Sequence, residues 1–253
     1  IVLGKPLSEK LYTGKEISST RPKLQKGEKC LQNLSNETNC YLINNNSKKT
    51  LWILGDSHAE AIYSAGEKVA NYHSANLKLY SASGTPFPSV GHYRKERRNL
   101  DLQALDDFRL LEKELYRQLK TGDIILLSMR MPYHFGGTYY EYPSSDFIFI
   151  KKDGSLGSQE NYFNQWISSV VNLANIAKRK DSKVIIQTPI PEWEKEAYNL
   201  CATRKTQWFN VLRMRNCQIP TKFFIDKEEG LYKHLFKKLN RLASSHENIY
   251  LFD

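Results

Sequence analysis

Short apolar runs alternate with longer amphipathic segments along most of the chain. Five runs have the length of a strand, and they lie at 50–54, 77–83, 124–129, 183–191 and 248–253. Apolar residues recur at helical spacing between them, over 58–72, 101–119, 162–180 and 227–245. Strands that alternate with helices are typical of a parallel sheet covered on both faces. The pattern therefore predicts a three-layer α/β sandwich around a central parallel sheet of about five strands.

The helix over 58–72 is predicted from a single apolar stripe, which we expect to face the sheet. The stripe consists of Ala59, Ile62, Ala65, Val69 and Tyr72.

Two segments depart from the alternation of strands and helices. Residues 1–28 are polar, rich in Lys and interrupted by Pro and Gly, which predicts a linker or peripheral arm before a domain over 29–253. Residues 132–158 are rich in Tyr, Pro and Gly and contain FIFIKKDGSL, which predicts a hairpin within an insertion. The Tyr-rich part, 133–143, fits either a stacking platform for a sugar or a cover for the sheet edge.

Composition allows a well-packed core, since 40% of the 253 residues are hydrophobic. The net charge of +10 could favour nucleic acid or another anionic partner. However, the basic residues are scattered in clusters at 93–100, 177–183 and 234–241, each beside a helical pattern. We interpret these clusters as solvated helix faces and expect no nucleic-acid partner.

No apolar segment reaches the length of about 18 residues that a membrane-spanning helix needs. The chain begins at Ile1 without a signal-peptide pattern. We therefore expect a soluble piece of a longer protein.

The four cysteines form two local pairs, Cys30 with Cys40 and Cys201 with Cys217. Their spacing does not fit a zinc ribbon, which needs close Cys-x-x-Cys pairs. Two disulfides fit better, each worth about 2–4 kcal/mol, and they would imply an oxidising compartment. Four free buried thiols in a reducing compartment are the alternative.

The sequence Gly-Asp-Ser-His at 55–58 lies where the first predicted strand meets a helix. Gly55 permits a sharp turn, and Ser57 then lies at the helix N-terminus, where free N–H groups favour negative charge. A serine in this place can attack a carbonyl while nearby N–H groups receive the oxyanion. The alternative is a helix cap, in which Asp56 or Ser57 satisfies the first turn and Glu60 completes a capping box.

The stretch ILGDSHAEAIYSAGEKVA resembles the first conserved block of the SGNH (GDSL-like) hydrolases. More narrowly, it resembles the SGNH domain fused to acyltransferase-3 membrane proteins, among them bacterial O-antigen and peptidoglycan O-acetyltransferases. The blocks SASGTPFPS, DIILLSMRM and VIIQTPIPE, the last followed by a cysteine pair, extend the resemblance over about residues 28–253. The resemblance implies an SGNH/flavodoxin-like fold and no metal or cofactor.

Carried over residue by residue, the resemblance implies Ser57 as the nucleophile and its N–H as part of the oxyanion hole. Gly84 matches the glycine that supplies a second N–H. Arg130 stands at the third oxyanion position, where many family members have Asn. Asp56 and His58 are expected to shape the site.

The general base of the family is the His of an Asp-x-x-His motif after the last strand. No histidine here has an Asp three residues before it, and His58 points away from Ser57 because adjacent helical side chains diverge. We expect the base and its Asp beyond Asp253. Without a base this stretch alone is expected to be nearly inactive.

The resemblance implies an extracytoplasmic serine acyltransferase domain, which moves an acyl group, expected to be acetyl, onto a cell-surface glycan hydroxyl through an acyl-serine. Its expected partners are an acyltransferase-3 membrane domain in the same polypeptide and the glycan acceptor. The expected location is the periplasmic or extracellular face of the membrane. A carbohydrate esterase with the same site and a non-catalytic glycan-binding module are the alternatives.

Overall fold

The computed structural model describes residues 24–137, 146–191, 226 and 229–252. The strands within these ranges are β1 (Gln25–Lys26), β2 (Thr38–Ile43), β3 (Thr50–Gly55), β4 (Asn76–Ala82), β5 (His92–Arg94), β6 (Ile124–Ser128), β7 (Phe147–Phe149), β8 (Lys183–Gln187) and β9 (Ile249–Phe252). The α-helices within them are α1 (Ser57–Ala61), α2 (Tyr63–Tyr72), α3 (Arg98–Gln118), α4 (Met131–Phe135), α5 (Gln159–Lys178) and α6 (Lys233–Ser245).

Seven strands form one sheet in the order β1-β2-β4-β3-β6-β8-β9. The five strands from β4 to β9 in this order are parallel, which confirms the predicted α/β fold and its central sheet. The antiparallel strands β1 and β2 extend one edge. β2 lies partly in the cysteine-flanked segment that the sequence pattern leaves irregular. β1 pairs through Gln25 and Lys26 with Cys40 and Asn39 of β2.

All six residues of β3 are buried. Because successive side chains of a strand point to opposite sides of the sheet, both faces of the sheet are covered at this strand. Leu51 and Ile53 pack with α1 and α2 on one face. Trp52 and Leu54 belong to the larger cluster on the other face, which includes Phe108 of α3 and residues of α5 and α6.

The helix predicted over 58–72 is two helices, because the backbone breaks at Ile62 (ψ 4°). The predicted apolar stripe is therefore wrong in its second half, where Val69 is 50% exposed and Tyr72 is 85% exposed. A Cβ at Gly66 would lie 2.3 Å from Cδ1 of Ile53, so this glycine lets α2 approach the sheet closely. The buried positions are Ala59, Tyr63, Gly66 and Ala70.

The predicted insertion contributes β7, which pairs with β5 in a separate two-stranded sheet. An antiparallel bridge between Ile150 and Leu156 agrees with the hairpin that FIFIKKDGSL predicts. Tyr133 is buried with its ring edge-on to Phe147, so this tyrosine does not belong to an exposed stacking platform. Residues 138–145, which carry the other tyrosines of the segment, lie outside the described residues.

Cys30 and Cys40 form a disulfide with their Cα atoms 6.3 Å apart. It links the turn after β1 to β2. Cys201 and Cys217 lie outside the described residues. Of the helices that the structure describes, none is long and apolar enough to cross a bilayer.

Candidate active site

Three neighbouring parallel strands end together at one edge of the central sheet. Gly55 at the end of β3 is in register with Ser81 of β4 and with Ser128 of β6. The turns after these strands therefore lie side by side at the carboxyl edge, where open α/β sheets place their ligand sites. These turns hold the predicted site residues Asp56, Ser57, His58, Gly84 and Arg130.

Gly55 is required by the close approach of β3 and β6. A Cβ at this position would lie 1.7 Å from the carbonyl oxygen of Ser128, with the Gly55 φ at +157°. Any larger residue would push the two strands apart just before the turn that carries Ser57.

Asp56 is the N-cap of α1, and its buried carboxylate joins three segments. Oδ1 accepts the backbone N–H of His58 at 2.8 Å. Oδ2 accepts the backbone N–H of Arg130 at 2.9 Å and lies 2.8 Å from Nε2 of His134, a side chain that is fully buried. The turn after β3, the turn after β6 and helix α4 are therefore tied to one carboxyl group.

The contacts of Asp56 also set its charge. Burial opposes ionisation, but the hydrogen bond from His134, the charges of His134 and His58 and the N–H of His58 outweigh it. The pKa of the Asp56 carboxyl is therefore held below its ordinary value, and the group is a carboxylate at neutral pH. An ionised acceptor makes each of these hydrogen bonds stronger than a neutral one would.

Ser57 is exposed and is the first residue of α1. Within the described ranges its hydroxyl has no hydrogen-bond partner, and as the first helical residue its N–H has no acceptor inside the helix. The capping box is not formed, because Asp56 caps the helix. The Glu60 carboxylate instead accepts hydrogen bonds from Asn39 and Ser81 at 2.9 and 2.7 Å.

Gly84 lies in the turn after β4 with a left-handed φ of +70°. The Arg94 guanidinium covers it, so a Cβ at Gly84 would lie 3.0 Å from that group. Nη2 of Arg94 donates a hydrogen bond to the carbonyl of Ser83 at 3.2 Å, and Asp101 binds Arg94 from the start of α3. Strand β5 therefore supports the Gly84 turn from outside the main sheet.

His92 of β5 and His134 of α4 form a buried pair beneath these turns, with ring centroids 5.6 Å apart. Tyr162 Oη lies 2.7 Å from His92 Nδ1. Burial, followed by the charges of His134 and Arg94, lowers the pKa of His92 well below its ordinary value. His92 is therefore neutral at pH 7 and links the β5 side of the site to the Asp56 side.

Arg130 lies at the same edge, but its backbone N–H is bonded to Asp56. Its guanidinium lies 5.6 Å from the ring centroid of Tyr133. The backbone N–H of Arg130 is therefore already used in the fold, and the oxyanion role expected for this residue from the sequence stays a prediction.

Arg94 and Asp101 were not expected at the site. The interpretation of the basic cluster at 93–100 as a solvated helix face is wrong for Arg94, whose side chain is 17% exposed and salt-bridged to Asp101. The charge pattern could not reveal the pair, because one residue lies on a short strand and the other in the first turn of α3. An acidic residue seven positions after an arginine carries no signal of its own.

No described histidine hydrogen-bonds to the Ser57 hydroxyl, and His134 is instead committed to Asp56. Among the described residues, no cluster of three or more His, Cys, Asp and Glu side chains could hold a metal ion.

A family model described as "SGNH domain (fused to AT3 domains)" matches residues 25–253. No curated protein and no solved structure matches the chain.

Proposed function

The chain belongs to the family of SGNH domains that are fused to AT3 domains, and from this premise we propose a serine acyltransferase. The family supports a domain of hydrolase or acyltransferase type. Our finer proposal is that Ser57 receives an acyl group, acetyl in the simplest case, and passes it to a hydroxyl of a cell-surface glycan such as lipopolysaccharide. The AT3 domain would deliver the acyl group from a cytoplasmic thioester, and transfer would occur on the periplasmic or extracellular side.

The state of Ser57 is the observation that carries this proposal. Ser57 is an exposed residue at the carboxyl edge, and the capping role that would explain a serine here is filled by Asp56. A hydroxyl that none of the described residues engages is available to a substrate. The proposal assigns to the N–H of Gly84, in the turn after the neighbouring strand β4, the role of second donor to a developing negative oxygen.

The proposed chemistry has two steps, acylation of Ser57 and transfer of the acyl group to the glycan. Ser57 Oγ attacks the acyl carbonyl, its proton passes to a base, and the N–H groups of Ser57 and Gly84 stabilise the oxyanion. The leaving group then departs with a proton and leaves an acyl-serine. A glycan hydroxyl then attacks that ester and gives its proton to the base. The bond from the acyl carbon to Ser57 Oγ breaks, and the base returns a proton to Oγ, which restores the serine and leaves the acyl group on the glycan.

We propose that the base is the His of an Asp-x-x-His motif that follows Asp253. The position of β9 supports this, because the carbonyl of Phe252 accepts the N–H of Thr188 at 2.8 Å. A segment that continues from β9 would therefore emerge beside the carboxyl end of β8, at the edge that holds Ser57.

Two further observations support the proposed compartment and the proposed glycan acceptor. The disulfide between Cys30 and Cys40 is compatible with an oxidising compartment outside the cytoplasm. The net charge of +10 favours approach of an anionic glycan.

Ser57→Ala in the full-length protein tests the proposal, with acylation of the surface glycan measured by mass spectrometry. We expect this variant to abolish acylation while its thermal unfolding stays close to that of wild type. Ser64→Ala, at an exposed serine of α2, is the matched control and should acylate normally. Retained acylation in Ser57→Ala would contradict the serine mechanism. Ser57-dependent release of free acid without acylated glycan would identify an esterase instead.

A further inference from the structure

We propose that Arg94, held by Asp101, is a positioning residue that orients and polarises the peptide unit between Ser83 and Gly84. This inference rests on the proposed function, in which the Gly84 N–H receives the oxyanion.

Asp101 fixes the Arg94 side chain through a forked contact. Nε of Arg94 donates to Oδ2 at 2.8 Å, and Nη2 donates to Oδ1 at 2.5 Å. The backbone N–H of Arg94 also donates to Oδ2 at 2.8 Å, so strand and side chain are bound to one carboxylate. Asp101 is 2% exposed. Two parallel bonds to a buried carboxylate set the plane of the guanidinium, which a single bond could not do.

The fixed guanidinium acts on the peptide unit that carries the Gly84 N–H. Nη2 of Arg94 donates to the Ser83 carbonyl at 3.2 Å, and that carbonyl belongs to the same peptide unit as the Gly84 N–H. A charged donor on the oxygen of a peptide draws electron density from its nitrogen, so the N–H becomes a stronger donor. The contact also fixes the direction of that N–H before a substrate arrives.

Gly84 is matched to this arrangement in two ways. Its φ of +70° is a conformation that L side chains rarely adopt, and a Cβ would lie 3.0 Å from the Arg94 guanidinium. The glycine therefore allows both the turn and the close approach of the cation. Of the two charges in the Arg94–Asp101 ion pair, the positive one contacts the turn, because the guanidinium binds the Ser83 carbonyl.

The alternative is that the ion pair of Arg94 and Asp101 only stabilises the contact between β5 and α3. A structural role would lower the melting temperature but leave turnover of the folded enzyme unchanged. A positioning role lowers kcat, since the affected interaction forms in the transition state, and leaves KM nearly constant. The two roles are therefore separable by kinetics.

The test measures hydrolysis of p-nitrophenyl acetate by the full-length protein, with kcat normalised to the folded fraction from near-UV circular dichroism. We expect Arg94→Gln to lower kcat at least about tenfold with KM within about twofold, since loss of a whole oxyanion donor costs about 10²–10³-fold. Arg98→Gln removes the same charge from an exposed position in the same segment and should leave kcat within about twofold.

Arg94→Lys keeps the positive charge and provides the second variant if Arg94→Gln fails to fold. A lysine cannot bind both Asp101 oxygens and the Ser83 carbonyl with a planar fork, so its kcat should also fall at least about tenfold. A normalised kcat within about threefold of the Arg98→Gln control in either variant would overturn the inference about Arg94 and leave the proposed function standing. Wild-type hydrolysis that persists in Ser57→Ala would overturn the proposed function, and the inference with it.

Discussion

At the scale of single residues, the Asp56 carboxylate organises the site. It caps α1, accepts the N–H of Arg130 and binds the buried His134 ring. Because Asp56 fills the capping role, the next residue, Ser57, is left exposed. The Asp and the Ser of the Gly-Asp-Ser-His sequence therefore have different tasks, one in the fold and one proposed for the chemistry.

Asp56→Asn is expected to lower the free energy of unfolding by about 2–4 kcal/mol, measured by urea denaturation at pH 7. The amide keeps the size of the side chain but replaces one accepting oxygen with a donor and removes the charge that faces His134.

Asp106→Asn is the matched control for this change. Asp106 pairs with Arg109 on the surface of α3, with its side chain 71% exposed, so we expect a change below about 1 kcal/mol. Equal effects of the two substitutions would show that Asp56 does not hold the turns together.

At the scale of elements, the sequence pattern predicted those strands that are continuous apolar runs. β3 and β6 were predicted because both of their faces are covered. β2 was missed because Thr38, Asn39 and Cys40 do not resemble an apolar strand, although Thr38 and Cys40 are buried.

Local irregularity caused the other differences. The α2 stripe was wrong because the break at Ile62 shifts the buried face. The Arg94–Asp101 pair depends on how β5 packs beside α3, and His134 on how α4 returns towards Asp56. Contacts of this kind between elements leave no periodic signal in the sequence. The site was therefore predictable where a motif spans one turn, and not where its support comes from distant elements.

Because His92 of β5 is buried, we expect the free energy of unfolding to depend on pH in a specific way. His92 has a folded-state pKa well below its ordinary value of 6.5. As the pH falls below about 6.5, the unfolded chain binds a proton that the folded protein excludes, so stability falls with acidification. One such group contributes up to about 1.4 kcal/mol per pH unit.

His92→Gln removes this titration, so its free energy of unfolding should change less steeply between pH 7 and pH 5 than that of wild type. Urea denaturation at several pH values measures the slope, which is independent of any overall loss of stability in the variant. His73→Gln, at an exposed position, is the control and should keep the wild-type slope. An unchanged slope in His92→Gln would contradict the buried neutral state of His92.

At the scale of the whole molecule, three strand ends and two supporting elements from outside the main sheet meet at one edge. β3, β4 and β6 supply the turns, while β5 and α4 hold these turns through Arg94 and His134. The fusion of this family to AT3 domains implies a protein that is tethered to a membrane, and in the proposed function this membrane part supplies the acyl group. In this arrangement Ser57 is the residue that we propose to carry the acyl group.

Labelling of the full-length protein with a fluorophosphonate, followed by peptide mass spectrometry, tests whether Ser57 is the nucleophile. We predict an adduct on Ser57 that is absent from Ser57→Ala and unchanged in Ser64→Ala. An unmodified Ser57 in a protein that still acylates its glycan, or an adduct on a different residue, would contradict the account.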